Sequence, residues 1–116
     1  MTSEAKVEQF PLRRFEDNKV QEIKRLYKQA EDKIKLVERE DEQLSIPSIN
    51  ELRYAGYHLL QAITGQDSNE KSQQFTKAIG HCKRAIYDAV EVRILWLFKI
   101  IKRFKEDYAN IPVSEV

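Results

Sequence analysis

The sequence predicts an all-α protein, an antiparallel helical bundle of two long helices and one short one. Among the 116 residues are only three Gly and three Pro, so there are few places for tight turns. Apolar residues recur at three- and four-residue spacing over long stretches, which is the pattern of a helix with one buried face. Charged residues make up 34% of the chain and fill the positions between them, as on solvated helix faces.

The length predicts a single domain, because a chain of this size encloses one core and no more. Residues 1–15 lack a sustained period and contain Pro11, so we interpret them as a flexible N-terminal arm. Residues 16–110 form the helical domain in this interpretation. Residues 111–116 are a C-terminal tail.

The first helix is predicted from about Glu16 to Gln43, and it ends before Pro47, which disfavours helical geometry at the residue preceding it. Its apolar positions alternate at three and four residues, the spacing of a heptad seam. They are Val20, Ile23, Tyr27, Ala30, Ile34 and Val37.

The second helix is predicted to begin at a capping box, because Ser48 is followed three residues later by Glu51. Gly65 stands where a helix commonly ends on a residue of positive φ. The buried stripe between them is Leu52, Ala55, Leu59, Ala62 and Ile63.

The third helix is predicted from a cap at Asp67, with Glu70 at capping-box spacing, to about Tyr108. Its first half carries one apolar stripe: Phe75, Ala78, Ile79, Cys82, Ala85, Ile86 and Ala89. Beyond Glu91 the helix is apolar around most of its circumference, which indicates burial on several sides.

The helix lengths predict a partner for that second half. The second helix covers only about sixteen residues of the third, which leaves roughly twenty projecting from the hairpin. An exposed apolar stripe of that size is unusual for a monomer. We therefore expect a homo-oligomer, most simply a dimer, to complete the bundle; a kink near Glu91–Arg93 is the monomeric alternative. The expected contact residues are Ile94, Leu97, Phe98, Ile101 and Phe104.

The charge balance excludes a whole-molecule field for nucleic acid or an anionic membrane, since twenty basic residues oppose nineteen acidic ones. The segment WLFKIIKRFKEDY does resemble a basic amphipathic helix of the kind that contacts membranes or phosphates. Glu106 and Asp107 dilute its charge, and its apolar arc is wide, so core or dimer interface is the favoured interpretation. No transmembrane or secretory segment is expected, and a cytoplasmic location is the default.

A line of polar residues on the third helix is the clearest candidate site. Imidazole, guanidinium and carboxylate groups suited to acid–base chemistry are contributed by His81, Arg84 and Asp88. The alternative is a solvated charged face with an ordinary Arg84–Asp88 surface pair. With their flanking charges, the residues of this line are Lys77, His81, Arg84, Asp88 and Glu91, spaced 4, 3, 4 and 3.

The sequence predicts no metal site and no cofactor. Its two histidines and single cysteine lie on different predicted helices or without close ligand spacing. Because Cys82 falls in an apolar stripe, we interpret it as an inert small hydrophobic residue. Phosphate-binding glycine loops, serine elbows and paired cysteines do not occur in the sequence.

The stretch LRYAGYHLLQAI, Leu52 to Ile63, together with the later run KRAIYDAV, resembles a helix common in HEPN-type domains. The aromatic–Ala–x–aromatic–His run and the apolar residues after it carry the resemblance. It implies a small, often dimeric helical bundle of prokaryotic defence or toxin–antitoxin systems. It further implies RNA cleavage by an Arg–His pair, which would be Arg53 and His58 here, assembled across a dimer cleft.

Two functions follow as hypotheses. The first is a non-enzymatic helical module that self-associates and acts through protein contacts. The alternative is a HEPN-like RNA-cleaving toxin or defence protein, or an inactive relative, and only this alternative implies RNA as a partner. The catalytic candidates are Arg53, His58, His81, Arg84 and Asp88.

Overall fold

A computed structural model describes the backbone of residues 2–111 and the side chains of residues 17–111. Over this range the chain forms three α-helices and no strand. They are α1 (Thr2–Asp41), α2 (Ile46–Thr64) and α3 (Ser68–Ala109). The predicted all-α bundle of two long helices and one short one is confirmed. Apart from Ile111, the predicted C-terminal tail lies outside the described residues.

The start of α1 differs from the prediction. The helix begins at Thr2 rather than near Glu16, so residues 2–15 continue it. Proline inside a helix costs about 3 kcal/mol, yet α1 continues through Pro11, whose neighbours include Glu, Lys, Gln and Arg, which are good helix formers. The flexibility predicted for residues 1–15 is a separate property and stays a prediction.

α2 does not begin at the predicted capping box of Ser48 and Glu51. Ser45 is the N-cap residue, and Pro47 lies in the first turn, where a missing N–H costs nothing. Ser48 is fully buried, and its hydroxyl lies 2.7 Å from the Ser45 hydroxyl. Glu51 is therefore available for another contact, described below.

The loop between α2 and α3 contains one correct prediction and one wrong one. Asp67 caps α3 by accepting a hydrogen bond from the Glu70 amide at 2.7 Å, as predicted. Gly65, however, has an extended backbone with φ −63°, not the predicted positive φ, because the chain passes directly into the cap of α3. A glycine fits at position 65 because a side chain there would be crowded, not because of its φ. An added Cβ would lie 3.0 Å from Lys71 Cγ and 3.3 Å from the Gln61 carbonyl oxygen.

Both α1 and α2 pack mainly on α3 and touch each other little. Short loops make α2 antiparallel to both α1 and α3, so α1 runs parallel to α3. The ion pair between Glu40 and Arg93 places the end of α1 beside the middle of α3. The core lies along the covered face of α3. Its fully buried members are small or medium-sized, and they are Ala30, Ala55, Ala62, Ala78, Cys82, Ala85 and Ala89.

The molecule is very elongated, with principal extents of 88 × 23 × 19 Å. α3 is one continuous helix from Ser68 to Ala109, so the alternative of a kinked helix is not what the chain adopts. α1 ends at Asp41, close to the level of Arg93, and α2 begins further back. Residues 94–109 of α3 therefore extend beyond both neighbouring helices.

Candidate functional site

A polar seam between α2 and α3 brings together several of the residues singled out in the sequence. We define the seam by Glu51, His58, Gln74, His81 and Arg84. The imidazole rings of His58 and His81 stack at 5.1 Å between centroids, with 4° between their planes. Each ring comes from a different helix, so the stack joins α2 to α3.

Glu51 organises one side of the seam. Its Oε2 lies 2.6 Å from Nδ1 of His81, and both side chains are largely shielded from solvent. A carboxylate only accepts, so Nδ1 of His81 carries the proton. Arg84 donates to the same oxygen through Nε at 3.4 Å. Its Nη2 lies 3.0 Å from Nδ1 of His81, but that nitrogen already donates to Glu51, so this is a close contact rather than a second hydrogen bond.

The other side of the seam repeats this arrangement with a neutral partner. Nδ1 of His58 lies 2.7 Å from Oε1 of Gln74, so it donates to the amide oxygen. The ring of Tyr54 approaches His81, and that of Tyr57 approaches His58, each at 5.5 Å between centroids. In the neutral form of each histidine, the Nε2 atom is the proton acceptor. The seam thus combines two acid–base atoms with one guanidinium.

Asp88 lies at the edge of the seam. Burial raises the pKa of its carboxyl group above the ordinary value, and the nearby charges of Glu51 and Glu91 raise it further. Arg84 opposes this rise. Asp88 is therefore a carboxylate whose charge the fold disfavours, rather than the orienting anion of the predicted site. The carboxylate that contacts His81 is instead that of Glu51, on α2.

Arg53 lies apart from this arrangement. It is exposed, and its only hydrogen bond within the described part of the chain goes to Asn50 Oδ1 at 3.5 Å. Its side chain lines a depression beside Tyr27 and Ile34 of α1. His58 instead contacts α3. The two residues of the predicted catalytic pair thus contact different helices.

The structure supplies partners that the sequence analysis missed. Glu51 was interpreted as a capping residue, and Gln74 was not singled out. The signal was present in the hairpin itself, because residues equidistant from its turn face each other. Glu51 and His81 each lie fifteen positions from Gln66, and His58 and Gln74 each lie eight.

Cys82 occupies the apolar face of α3, as the sequence predicted. It is fully buried, and burial raises the pKa of its thiol to about 11. Such a thiol has almost no thiolate at neutral pH, so it is a poor nucleophile. Among the described residues, no group of three His, Cys, Asp or Glu side chains is placed to hold a metal ion.

The projecting segment, residues 94–111, is rich in exposed large apolar side chains. Nine large apolar side chains in it are between 41% and 62% exposed. All five predicted contact residues are among them. The nine are Ile94, Leu95, Leu97, Phe98, Ile100, Ile101, Phe104, Tyr108 and Ile111. Within residues 2–111 no helix has the length and apolar character needed to cross a bilayer.

A second apolar surface lies between α1 and α2, on the side away from α3. We call it the α1–α2 groove. Tyr27 and Val20 of α1 and Leu59 of α2 border one part of it, and Ile34, Ile49 and Leu52 border the part next to it. Val20 and Tyr27, predicted as buried seam residues, are 36% and 40% exposed, because they face this groove.

Comparison with known proteins gives no match: no family model, curated protein or solved structure is similar to the chain.

Proposed function

We propose that this chain is a non-enzymatic helical module that self-associates through the projecting segment and acts by protein contacts. The observation that carries the proposal is the continuous exposure of nine large apolar side chains along residues 94–111. α3 holds eight of these side chains, all except Ile111, in a helical array beyond the ends of α1 and α2. Such an array is a preformed interaction surface. Separately, we expect the protein to act in the cytoplasm.

The size of this surface fits a stable interface. An aromatic side chain buries roughly 150–250 Å² and an aliphatic one somewhat less, so nine half-exposed side chains present on the order of 700 Å². That is about the area that each partner buries in an interface of standard size. A patch of this extent left open to water is exceptional in a monomer.

The experiment is a solution mass by light scattering between about 1 and 100 μM protein, a range that brackets common dimer affinities. We expect a multiple of 13.7 kDa. A variant with Phe98→Glu and Ile101→Glu should have the monomer mass, because two charges would be placed in an apolar interface. The matched control is Asn69→Glu with Gln73→Glu, which adds the same charge at exposed positions of α3. This control should keep the mass of the parent protein.

Circular dichroism identifies any variant that has lost its helices, and such a variant is replaced by Phe98→Ser with Ile101→Ser. A parent protein of 13.7 kDa at every concentration tested would contradict the proposal.

A second candidate function, RNA cleavage, has one specific observation in its support. The resemblance to HEPN-type domains implies this activity. The seam gathers the two imidazoles of His58 and His81 beside the Arg84 guanidinium. Phosphodiester cleavage needs proton transfer and stabilisation of the developing negative charge. The seam offers groups for both.

RNA degradation by the purified protein tests this candidate. Cleavage at the seam should be lost in His58→Ala and in His81→Ala, and Arg53→Ala should retain it. The pair implied by the resemblance would instead require loss in Arg53→Ala and His58→Ala. An intact RNA substrate after incubation with the folded parent protein would exclude both forms of this function.

A further inference from the structure

We infer that the α1–α2 groove of one subunit receives the projecting segment of a second copy, and that the exchange is reciprocal. The inference rests on the proposed self-association and names the surface that each segment occupies. In the dimer, the segment becomes the fourth helix of a four-helix bundle.

The architecture of the subunit leaves one corner of a bundle empty. α3 packs against both α1 and α2, while α1 and α2 make little contact with each other. Three helices so arranged occupy three corners of a square, with α3 between the other two. The fourth corner, next to both α1 and α2, is the groove. A helix there completes the packing found in four-helix bundles.

The segment and the groove match in length. The groove borders α1 from Val20 to Glu38, which is about 28 Å at 1.5 Å per residue. The projecting segment, residues 94–111, is about 27 Å long by the same measure. Its own chain cannot place it there, because α3 is a straight continuation away from the groove. A second copy can.

Two opposite-charge pairs are compatible with an antiparallel orientation relative to α1. Glu31 and Lys24 border the groove, and they are seven residues apart. Lys99 and Glu106 of the segment have the same spacing. An antiparallel alignment that places Lys99 beside Glu31 therefore also places Glu106 beside Lys24. Exposed pairs of this kind contribute little affinity, and the same alignment also places Lys102 beside Lys28. The match in length therefore carries more of the register than the charges do.

The same alignment places the whole segment over the groove. It sets residue 94 beside residue 36 of α1, and residue 111 beside residue 19, so the segment covers the groove over nearly its whole length. The segment then contacts two helices of the partner at once. This accounts for apolar residues around most of its circumference, more than a single helix–helix contact needs.

Gly56 provides a substitution that tests the groove without touching the monomer core. It follows Leu52 by four residues and precedes Leu59 by three, so it lies on the same face of α2. An added Cβ at Gly56 would meet nothing within 4 Å. Gly56→Phe should therefore keep the subunit fold, and it should raise the dimer dissociation constant at least tenfold by occupying the partner's place. The matched control is Gly80→Phe on α3, where an added Cβ meets only the flexible Arg84 end at 3.8 Å.

A cross-link tests the register directly. The variant Lys24→Cys with Glu106→Cys is treated with a short bismaleimide; Cys82 is buried with a thiol pKa of about 11 and does not compete. By the level of the Glu40–Arg93 pair, the two new cysteines of one chain lie about 40 Å apart along the helices. A linker can join them only between chains. We expect a covalent dimer with the double variant and none with either single variant.

The outcomes separate this inference from the proposed function. A Gly56→Phe protein that remains dimeric, while Phe98→Glu with Ile101→Glu is monomeric, would leave self-association intact and refute groove insertion. Efficient cross-linking by Glu106→Cys alone would show that projecting segments pack on each other instead. A parent protein that is monomeric would refute both.

Discussion

The two halves of α3 differ in burial in the opposite sense to their apolar content. In residues 68–93, α1 and α2 lie alongside, and Phe75 is only 2% exposed. In residues 94–109 no other described helix lies alongside, and Phe98 is 62% exposed. The projecting half is nevertheless the richer of the two in large apolar residues. Apolar content therefore indicates where burial is needed, and the lengths of neighbouring helices decide whether the chain itself provides it.

The largest expected difference between the halves is in the free energy of unfolding. Phe75→Ala should lower it by about 3 to 5 kcal/mol, the cost of emptying a well-packed core position. Phe98→Ala should change the stability of the monomer by no more than about 0.5 kcal/mol, since little of the side chain is covered. Denaturant unfolding followed by circular dichroism measures both.

Protein concentration sharpens this contrast. If the projecting segments meet in a dimer, Phe98→Ala should become destabilising as concentration rises, whereas the loss in Phe75→Ala should remain similar. Equal losses for both variants at high dilution would mean that Phe98 is covered within its own chain, and the comparison would fail.

The fold was predictable from the sequence because its determinants are local. Helical periodicity, scarce turn residues and the Asp67 cap require no knowledge of distant contacts, and they predicted three helices and the projecting end. The misplaced ends have local causes too. Pro47 was interpreted as a helix breaker, yet it lies in the first turn of α2, where its missing donor costs little. Pro11 was interpreted in the same way, but it lies inside α1.

The polar seam was only partly predictable. The line through His81 and Arg84 indicated a candidate site, but the partners of these residues come from α2. They depend on the register of the hairpin rather than on spacing along one helix. The groove was harder still, because Val20 and Tyr27 share the heptad pattern of core residues. Only the separation of α1 from α2 distinguishes them.

The next-largest expected difference is between two glutamate substitutions, one in the seam and one in the projecting segment, measured as the change in the free energy of unfolding. Glu51→Ala removes the acceptor of His81, so the donor Nδ1–H loses its partner. We expect a loss of about 1 to 2 kcal/mol, at the lower part of the range because the His81 side chain is 18% exposed. Glu106→Ala should change monomer stability by less than about 0.5 kcal/mol.

A double-mutant cycle assigns the Glu51 effect to its partner. If the hydrogen bond carries the effect, Glu51→Ala should cost much less in a His81→Ala background, and the coupling should exceed about 0.5 kcal/mol. Additive losses would mean that the two side chains stabilise the α2–α3 contact independently.

The smallest effect compares Asp88, at the end of the covered half, with Asp107 in the projecting half. Folding raises the pKa of Asp88, through burial first and through Glu51 and Glu91 next. A raised folded pKa means that the charged form destabilises the folded state, and this penalty is present in full above the folded pKa. It disappears as pH falls below the unfolded value of about 3.9.

Asp88→Asn should therefore be more stable than the parent at pH 7, by no more than about 0.5 kcal/mol, and equal to it near pH 3. Asp107→Asn, at an exposed position of α3, is the matched control. Thermal unfolding of the three proteins across this pH range measures the difference, and a gain for Asp88→Asn that persists at pH 3 would assign the effect to packing instead of charge.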